Sequence, residues 1–305
     1  MSEFLYPISV LSQDKTYLFR EFTHLQYKNF TKTILDEDKN ALERFINTLI
    51  DDLSEDCLDT TTLNVLDKFY IMLVIRARCI SPEIIFQSEV EGENEEKTKV
   101  SIPVKINDML QKIGEYELEY TFEFNDGAIS VKGSLPKRLY YTDVYDVAAE
   151  CIDTIMFGNK TIHITNLQTE EKKSILSQLP SAVLPEVVKF IQRQDEIVRS
   201  DPLLKFDTDL NLPFGVKFEL HLYDGTIPEF IRVIYNANLK DFYKHEYTLM
   251  RRFKFDFEAV TSSTPAELNL YYSIISKDLE REKKEMQERD HQSGGGVAPP
   301  QNLSP

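Results

Sequence analysis

The chain has 305 residues, 42 % hydrophobic and 28 % charged, enough for a sizeable core in two domains or in one domain with a large insertion. Lys and Arg number 35 against 51 Asp and Glu, a net charge of −16 at pH 7. That balance argues against a general nucleic-acid binder, which needs excess cations to displace counterions, and against docking on anionic lipid.

Residues 1–22 carry Phe4, Tyr6, Tyr17, Phe19 and Phe22 and read as an extended arm or short strands. Thr23 can cap a first helix through about Ile34. Leu42, Phe45, Ile46, Leu49, Ile50 and Leu53 then form one helical stripe. Asp36, Glu37 and Asp38 lie at its start, where the helix dipole favours them. After an acidic connection, Ser54–Asp59, comes the stretch that organises the rest, Thr62–Ile80. It has no Gly or Pro, Thr61 or Thr62 can cap it, and every residue from Phe69 to Ile75 is apolar or Tyr. A helix apolar all round is buried, and this run is shorter than the roughly 20 residues a bilayer requires. Asp67 and Arg76 are its exceptions. Charges in a packed region are costly unless paired, so these two serve either an internal network or an ion pair with a partner. Ser81-Pro82 ends the helix.

After Pro82 the period changes to two. Ile84–Val90 reads as a strand, Glu91–Lys99 as a charged loop, and Val100, Ile102, Val104 and Ile106 as a second strand. Asn107–Gly114 is a connection with room for one helical turn. Tyr116–Phe124 alternates again, Asn125-Asp126-Gly127 signals a hairpin, and Ala128–Val131 returns, giving a small antiparallel sheet between about 84 and 135. From Asp143 a helical stripe of Val144, Val147, Ala148, Cys151, Ile152 and Ile155 runs to Gly158. Thr161–Ile164 is a short strand, Thr169 caps a helix, and Pro185 sits in the first turn of a helix through about Val198. Phe214–Leu222 reads as a strand and Tyr223-Asp224-Gly225 as its turn. Pro228–Asn236 and Leu239–Phe257 read as aromatic-rich helices. Thr264-Pro265-Ala266-Glu267 opens a last helix, to about Asp290, with its cap, proline and acid in the favoured order. The expected fold is α+β, a mainly helical body with a small antiparallel β-sheet insertion and a long C-terminal helix. It divides into an N-terminal helical region (1–83), a β-rich insertion (84–140), a mostly helical C-terminal region (141–290) and a disordered tail (291–305).

Motifs for chemistry are missing. Neither GxxxxGK[ST] nor GxGxxG occurs, nor GxSxG. Cys57, Cys79 and Cys151 form no CxxC, and the five histidines sit at no ligand spacing, although His221 and His245 could meet in space. Cys151 reads as a small core hydrophobe. No cofactor, metal or catalytic residue is expected. Widely spaced, odd-numbered cysteines and an N-terminus without a basic, then apolar, leader point to a reducing cytosol. Fifteen Tyr and nineteen Phe without Trp is much aromatic surface, and the last helix, apolar in its first half and charged in its second, extends beyond a plausible core. Tyr271 and Tyr272 on it suit either a core or a face for another protein.

The order Leu5-Tyr6-Pro7-Ile8-Ser9-Val10-Leu11, then Phe22-Thr23-His24-Leu25, the helix with Leu42, Phe45 and Ile46, and Leu66-Asp67-Lys68-Phe69-Tyr70 through Ile75-Arg76 resembles the T4-like bacteriophage baseplate hub subunits and hub assembly proteins. Asp67 and Arg76 match an early Asp and a terminal Arg of the family's buried helix. The glycine that often follows that helix is replaced by Ser81-Pro82. The Thr264–Glu267 helix start is also similar. The resemblance implies a non-enzymatic phage protein acting in assembly of the central hub, as subunit or chaperone. It would work in the host cytoplasm and in or near the virion baseplate, with other hub or tail proteins as partners and self-association left open. Asp67, Arg76, Tyr271 and Tyr272 are the candidate partner residues. The rival readings are a hydrolase with two acidic residues in a cleft and a cytosolic protein-binding module.

Overall fold

A computed structural model describes residues 4–36, 38–56, 58–91, 97–165, 167–205 and 217–293. The first elements are a hairpin, β1 (Leu5–Val10) and β2 (Lys15–Arg20), with Leu5 opposite Arg20. Its inward residues Tyr6, Ile8, Val10, Tyr17 and Phe19 are buried, so the arm is a lid on the core. Helix α1 (His24–Leu35) starts at Thr23, which caps Gln26 as expected, and α2 (Lys39–Leu53) starts at Asp38.

The central helix, α3 (Val65–Cys79), begins later than Thr61 or Thr62 would place it. Residues Thr60–Thr62 form a 3-10 turn, and Asn64 takes the cap. The Asn64 side chain accepts from Leu66 N and Asp67 N (both 2.9 Å), and Asp67 accepts from Asn64 N (3.2 Å). This reciprocal pair satisfies orphan donors that a lone threonine would leave. Every residue from Phe69 to Ile75 is buried or half-buried, as the absence of a polar face requires. Burial of each large apolar side chain here contributes roughly 1.5–3 kcal/mol.

Hairpin β3 (Glu83–Glu91) and β4 (Lys97–Lys105) follows, then α4 (Ile106–Gly114). The stretch expected to hold one helical turn is thus a nine-residue helix that buries Ile106, Met109 and Ile113. The strand expected from Tyr116 starts only at Thr121. Tyr116 Oη donates to the Asp201 carbonyl (3.0 Å) and Glu119 N to Gln194 Oε1 (2.9 Å), so this segment is bound by a helix rather than by a strand. Strand β5 (Thr121–Asn125) turns through Gly127, at φ 85°, into β6 (Ile129–Ser134).

The single sheet expected between 84 and 135 is therefore two sheets, and the second takes strands from a stretch read as helix. Helix α5 (Val144–Cys151) stops short of Gly158, and Ile152–Phe157 is strand β7, paired with β6 and with β8 (Lys160–His163). Ile152, Thr154 and Ile155 are β-branched and suit a pleated surface, so the available ladder outweighs continuation of the helix. The four-stranded sheet runs β5-β6-β7-β8, antiparallel throughout.

Helix α6 (Thr169–Leu176) is entered from Gln168, not capped by Thr169, whose hydroxyl donates to Glu150 Oε1 (2.9 Å). Helix α7 (Val183–Ser200) has Pro185 in its first turn. The pair β9 (Leu204–Lys205) and β10 (Lys217–Phe218) leads to α8 (Thr226–Tyr235), entered through Gly225 at φ 92°. Most of the strand expected at Phe214–Leu222 lies outside the described residues or is irregular. The helix expected over Leu239–Phe257 is broken. Helix α9 (Leu239–Phe253) ends at Lys254, which is left-handed, and Asp256 caps α10 (Phe257–Ser262). Helix α11 (Pro265–Ser293) starts with the predicted Thr264–Glu267 box and runs past Asp290. The tail from 294 lies outside the described residues. Among these residues no helix is long and apolar enough to cross a membrane.

The main core packs α3 against β1, α2, α4 and α8. A second, small core of Leu249, Val260 and Leu268 lies under α9, α10 and α11. His24 N donates to the Ser263 carbonyl (2.8 Å), joining it to α1.

Candidate interaction surface

The four residues singled out from sequence fall into two groups. Asp67 and Arg76 are buried at opposite ends of α3. Asp67 is fully buried and accepts from Ser12 N (3.0 Å) and Ser12 Oγ (2.5 Å) in the β1–β2 turn. Burial pushes its carboxyl above the usual pKa, against these hydrogen bonds. Arg76 donates from Nε to the Ile234 carbonyl (2.7 Å) and from an η nitrogen to the Ser81 (2.8 Å) and Glu83 (3.3 Å) carbonyls. The two side chains are thus bound to the hairpin turn, to α8 and to the start of β3.

Tyr271 and Tyr272 lie on α11. Tyr271 is 40 % exposed, with its ring 5.6 Å from that of Phe255. Tyr272 is half-buried against His245, ring centroids 4.7 Å apart. It forms one wall of a cleft of ≈ 220 Å³ between α1, α9 and α11. His24, Tyr27, Phe242, His245 and Leu268 line the rest, with Asp241 among the polar groups. Tyr27 and Phe242 meet edge to face at 5.0 Å.

Beneath this cleft is a charge cluster that sequence spacing did not show. Glu246 accepts from Lys28 Nζ at 2.9 and 2.7 Å, and His24 Nε2 lies 3.2 Å from the same carboxylate. Burial pushes the His24 ring below its usual pKa, opposed by Glu246. The carboxylate is thus held by Lys28, with a ring beside it that burial favours as neutral, and among the described residues no Ser, Thr or Cys lines the cleft. The partners are 218 residues apart in sequence, so only the assembled α1–α9 contact reveals them.

His221 and His245 do not meet. His221 Nδ1 is 3.3 Å from Asp195 Oδ2, and Asp195 also accepts from Leu222 N (2.8 Å). Among the described residues no group of three or more His, Cys, Asp or Glu could hold a metal ion. What the surface does offer is apolar area. Leu270, Ile274, Leu279 and Met286 on α11, and Tyr243 and Tyr247 on α9, are all exposed. The aromatic helices suggested this from sequence, but which rings stay outside required the packing.

No curated protein and no solved structure matches the chain. A family model described as the T4 bacteriophage base plate protein matches residues 1–199, from the β1–β2 hairpin into α7. With that match over more than half of its 305 residues, the chain belongs to the T4 bacteriophage base plate protein family.

Proposed function

We propose that this baseplate protein works by protein–protein contact, without catalysis, in building the central baseplate hub, as a hub subunit or as an assembly chaperone. The observation that carries this reading is the exposed aromatic and aliphatic face of α9 and α11 beside the Tyr272 cleft. Exposed apolar groups gathered on two helices in contact supply a surface for another protein. In this account the chain covers apolar faces of hub or tail proteins in the host cytoplasm until they join. The excess of acid, −16 overall, limits premature self-association. Nucleic acid and membrane are not partners. Tyr271 and Tyr272 contact the partner, whereas Asp67 and Arg76 serve it indirectly by fixing the body on which α11 stands.

The test is a Tyr271→Ala, Tyr272→Ala double variant. It should stay folded, with the far-UV circular dichroism of the wild type, and lose co-purification with hub proteins from infected cells. Unchanged co-purification would remove these tyrosines from the account.

A further inference from the structure

Helix α11 changes character where it leaves the body. Leu268 is buried in the small C-terminal core and Ile275 is packed against it. From Lys277 through Gln287 every residue is exposed. The face that carries Leu268, Tyr272 and Ile275 continues as Leu279, Glu282 and Met286, following the alternating four- and three-residue spacing of a coiled-coil seam with one acid set into it. Nothing among the described residues covers that continuation. Asp278 and Glu285, each one residue before a seam position, form an acidic edge on the Glu282 side. Lys277, Arg281 and Lys284 lie on the far side of the helix, and Lys283 lies on the seam flank opposite Asp278 and Glu285.

Glu282 is the telling residue. Its neighbours at three and four positions are Asp278, Leu279, Glu285 and Met286, so no cation of its own helix can reach it. Asp278, by contrast, is paired with Arg281 (3.1 Å). A second copy of this chain would not relieve Glu282. In a parallel, in-register pair Glu282 meets its own copy. In an antiparallel pair the acidic edge meets the acidic edge. Like charges so placed oppose association.

We propose that the free half of α11 docks a basic amphipathic helix of another chain. Its apolar side lies on Ile275, Leu279 and Met286, and its Lys or Arg residues face Glu282 and the Asp278–Glu285 edge. This rests on the protein-contact reading above and names the chemistry of the partner.

The probe is a synthetic amphipathic helix with leucine at both seam positions and lysine along both flanks, with a glutamate-flanked peptide of the same apolar pattern as control. Binding to the full chain is measured by fluorescence anisotropy. The lysine peptide should bind at least about tenfold more tightly than the glutamate peptide, the scale of one charge pair at an apolar seam, and Glu282→Lys should erase or reverse that preference. Leu279→Asp separates docking from bulk attraction. It adds negative charge, so binding driven by net charge would strengthen, whereas docking on the seam weakens about tenfold or more. Equal binding of both peptides, no binding of either, an unaltered preference in Glu282→Lys, or stronger binding by Leu279→Asp would overturn the proposal. Because the probe is not a phage protein, its failure leaves the hub assignment to the separate co-purification experiment.

Discussion

Arg76 donates from Nε to the carbonyl of Ile234 at 2.7 Å, across 158 residues of sequence. Arg76 lies inside the family-matched part of the chain and Ile234 lies beyond it. Tyr235 repeats the link, donating from its hydroxyl to the Met72 carbonyl at 2.6 Å, and Phe230 meets Phe69 edge to face at 5.7 Å. Helix α8 therefore completes the core of the family-matched body. Arg76→Met keeps the aliphatic stem but leaves three carbonyls without their donor. It should cost about 2–4 kcal/mol, read as a lower Tm and a lower denaturation midpoint. A chain ended after Arg199 should lose its near-UV circular dichroism and bind a hydrophobic dye, because Phe69 and Met72 lose the helix that covers them.

Lys68, next to Asp67 on α3, is nearly fully buried, with its Nζ donating to the Lys137 carbonyl at 2.8 Å. Burial lowers its pKa from 10.5 to about 8, against the pull of Glu43 and Asp51. Between these two values the unfolded chain holds a proton that the folded chain has released. Stability from this group therefore rises as the pH climbs from about 8 to 10.5 and is absent below that window. Lys68→Met removes the titration. The difference in unfolding free energy between wild type and Lys68→Met should change in favour of the wild type over that range, as read by urea titrations at several pH values. A constant difference would contradict the burial.

Gly133 stands at the register shift between β6 and β7. A Cβ there would overlap the Cys151 carbonyl and the Phe122 ring, one of them backbone that cannot rotate away. Gly133→Ala should destabilise the chain by about 2 kcal/mol or more through overpacking, with β5 and β7 losing hydrogen-exchange protection first. Gly127→Ala, in the turn, has open space but a positive φ, and should cost only about 1 kcal/mol.

Cys79 and Cys151 are free and buried, and burial pushes both thiols above their usual pKa. Neither should react with a thiol reagent in the folded chain at neutral pH, and both should react at the rate of unfolding in denaturant. Mass mapping of the labelled peptides distinguishes them from Cys57, which lies outside the described residues. Rapid native labelling at Cys79 would contradict its place between Tyr6 and Phe22, where the thiol accepts from Phe22 N at 3.2 Å.

How much of this was legible in sequence depended on whether the cause was local. The α2 stripe, the apolar girth of α3, the Thr23 and Thr264 caps and the Gly127 turn are set by residues within a few positions of one another, and periodicity found them. The α5–β7 boundary was hidden because Ile152 and Ile155 continue a helical stripe while also suiting a strand. What decides is the ladder that β6 offers about twenty residues earlier. The cap of α3 was misplaced because three threonines and an asparagine compete, and only Asp67 reaching back to Asn64 selects among them. Asp67 and Arg76 were legible as costly charges, but their partners were not. Ser12 and the Ile234 carbonyl carry no charge and no periodic signal. The His24–Lys28–Glu246 cluster escaped for the same reason of distance.

The hub assignment is tested most directly by affinity co-purification of the tagged full chain from infected cells, with mass spectrometry of the bound proteins and of purified mature particles. The account predicts baseplate hub proteins enriched with the wild-type chain and depleted with the Tyr271→Ala, Tyr272→Ala variant. Copies in the particles identify a hub subunit, and their absence identifies a chaperone. A bound fraction that contains no tail protein would contradict the account.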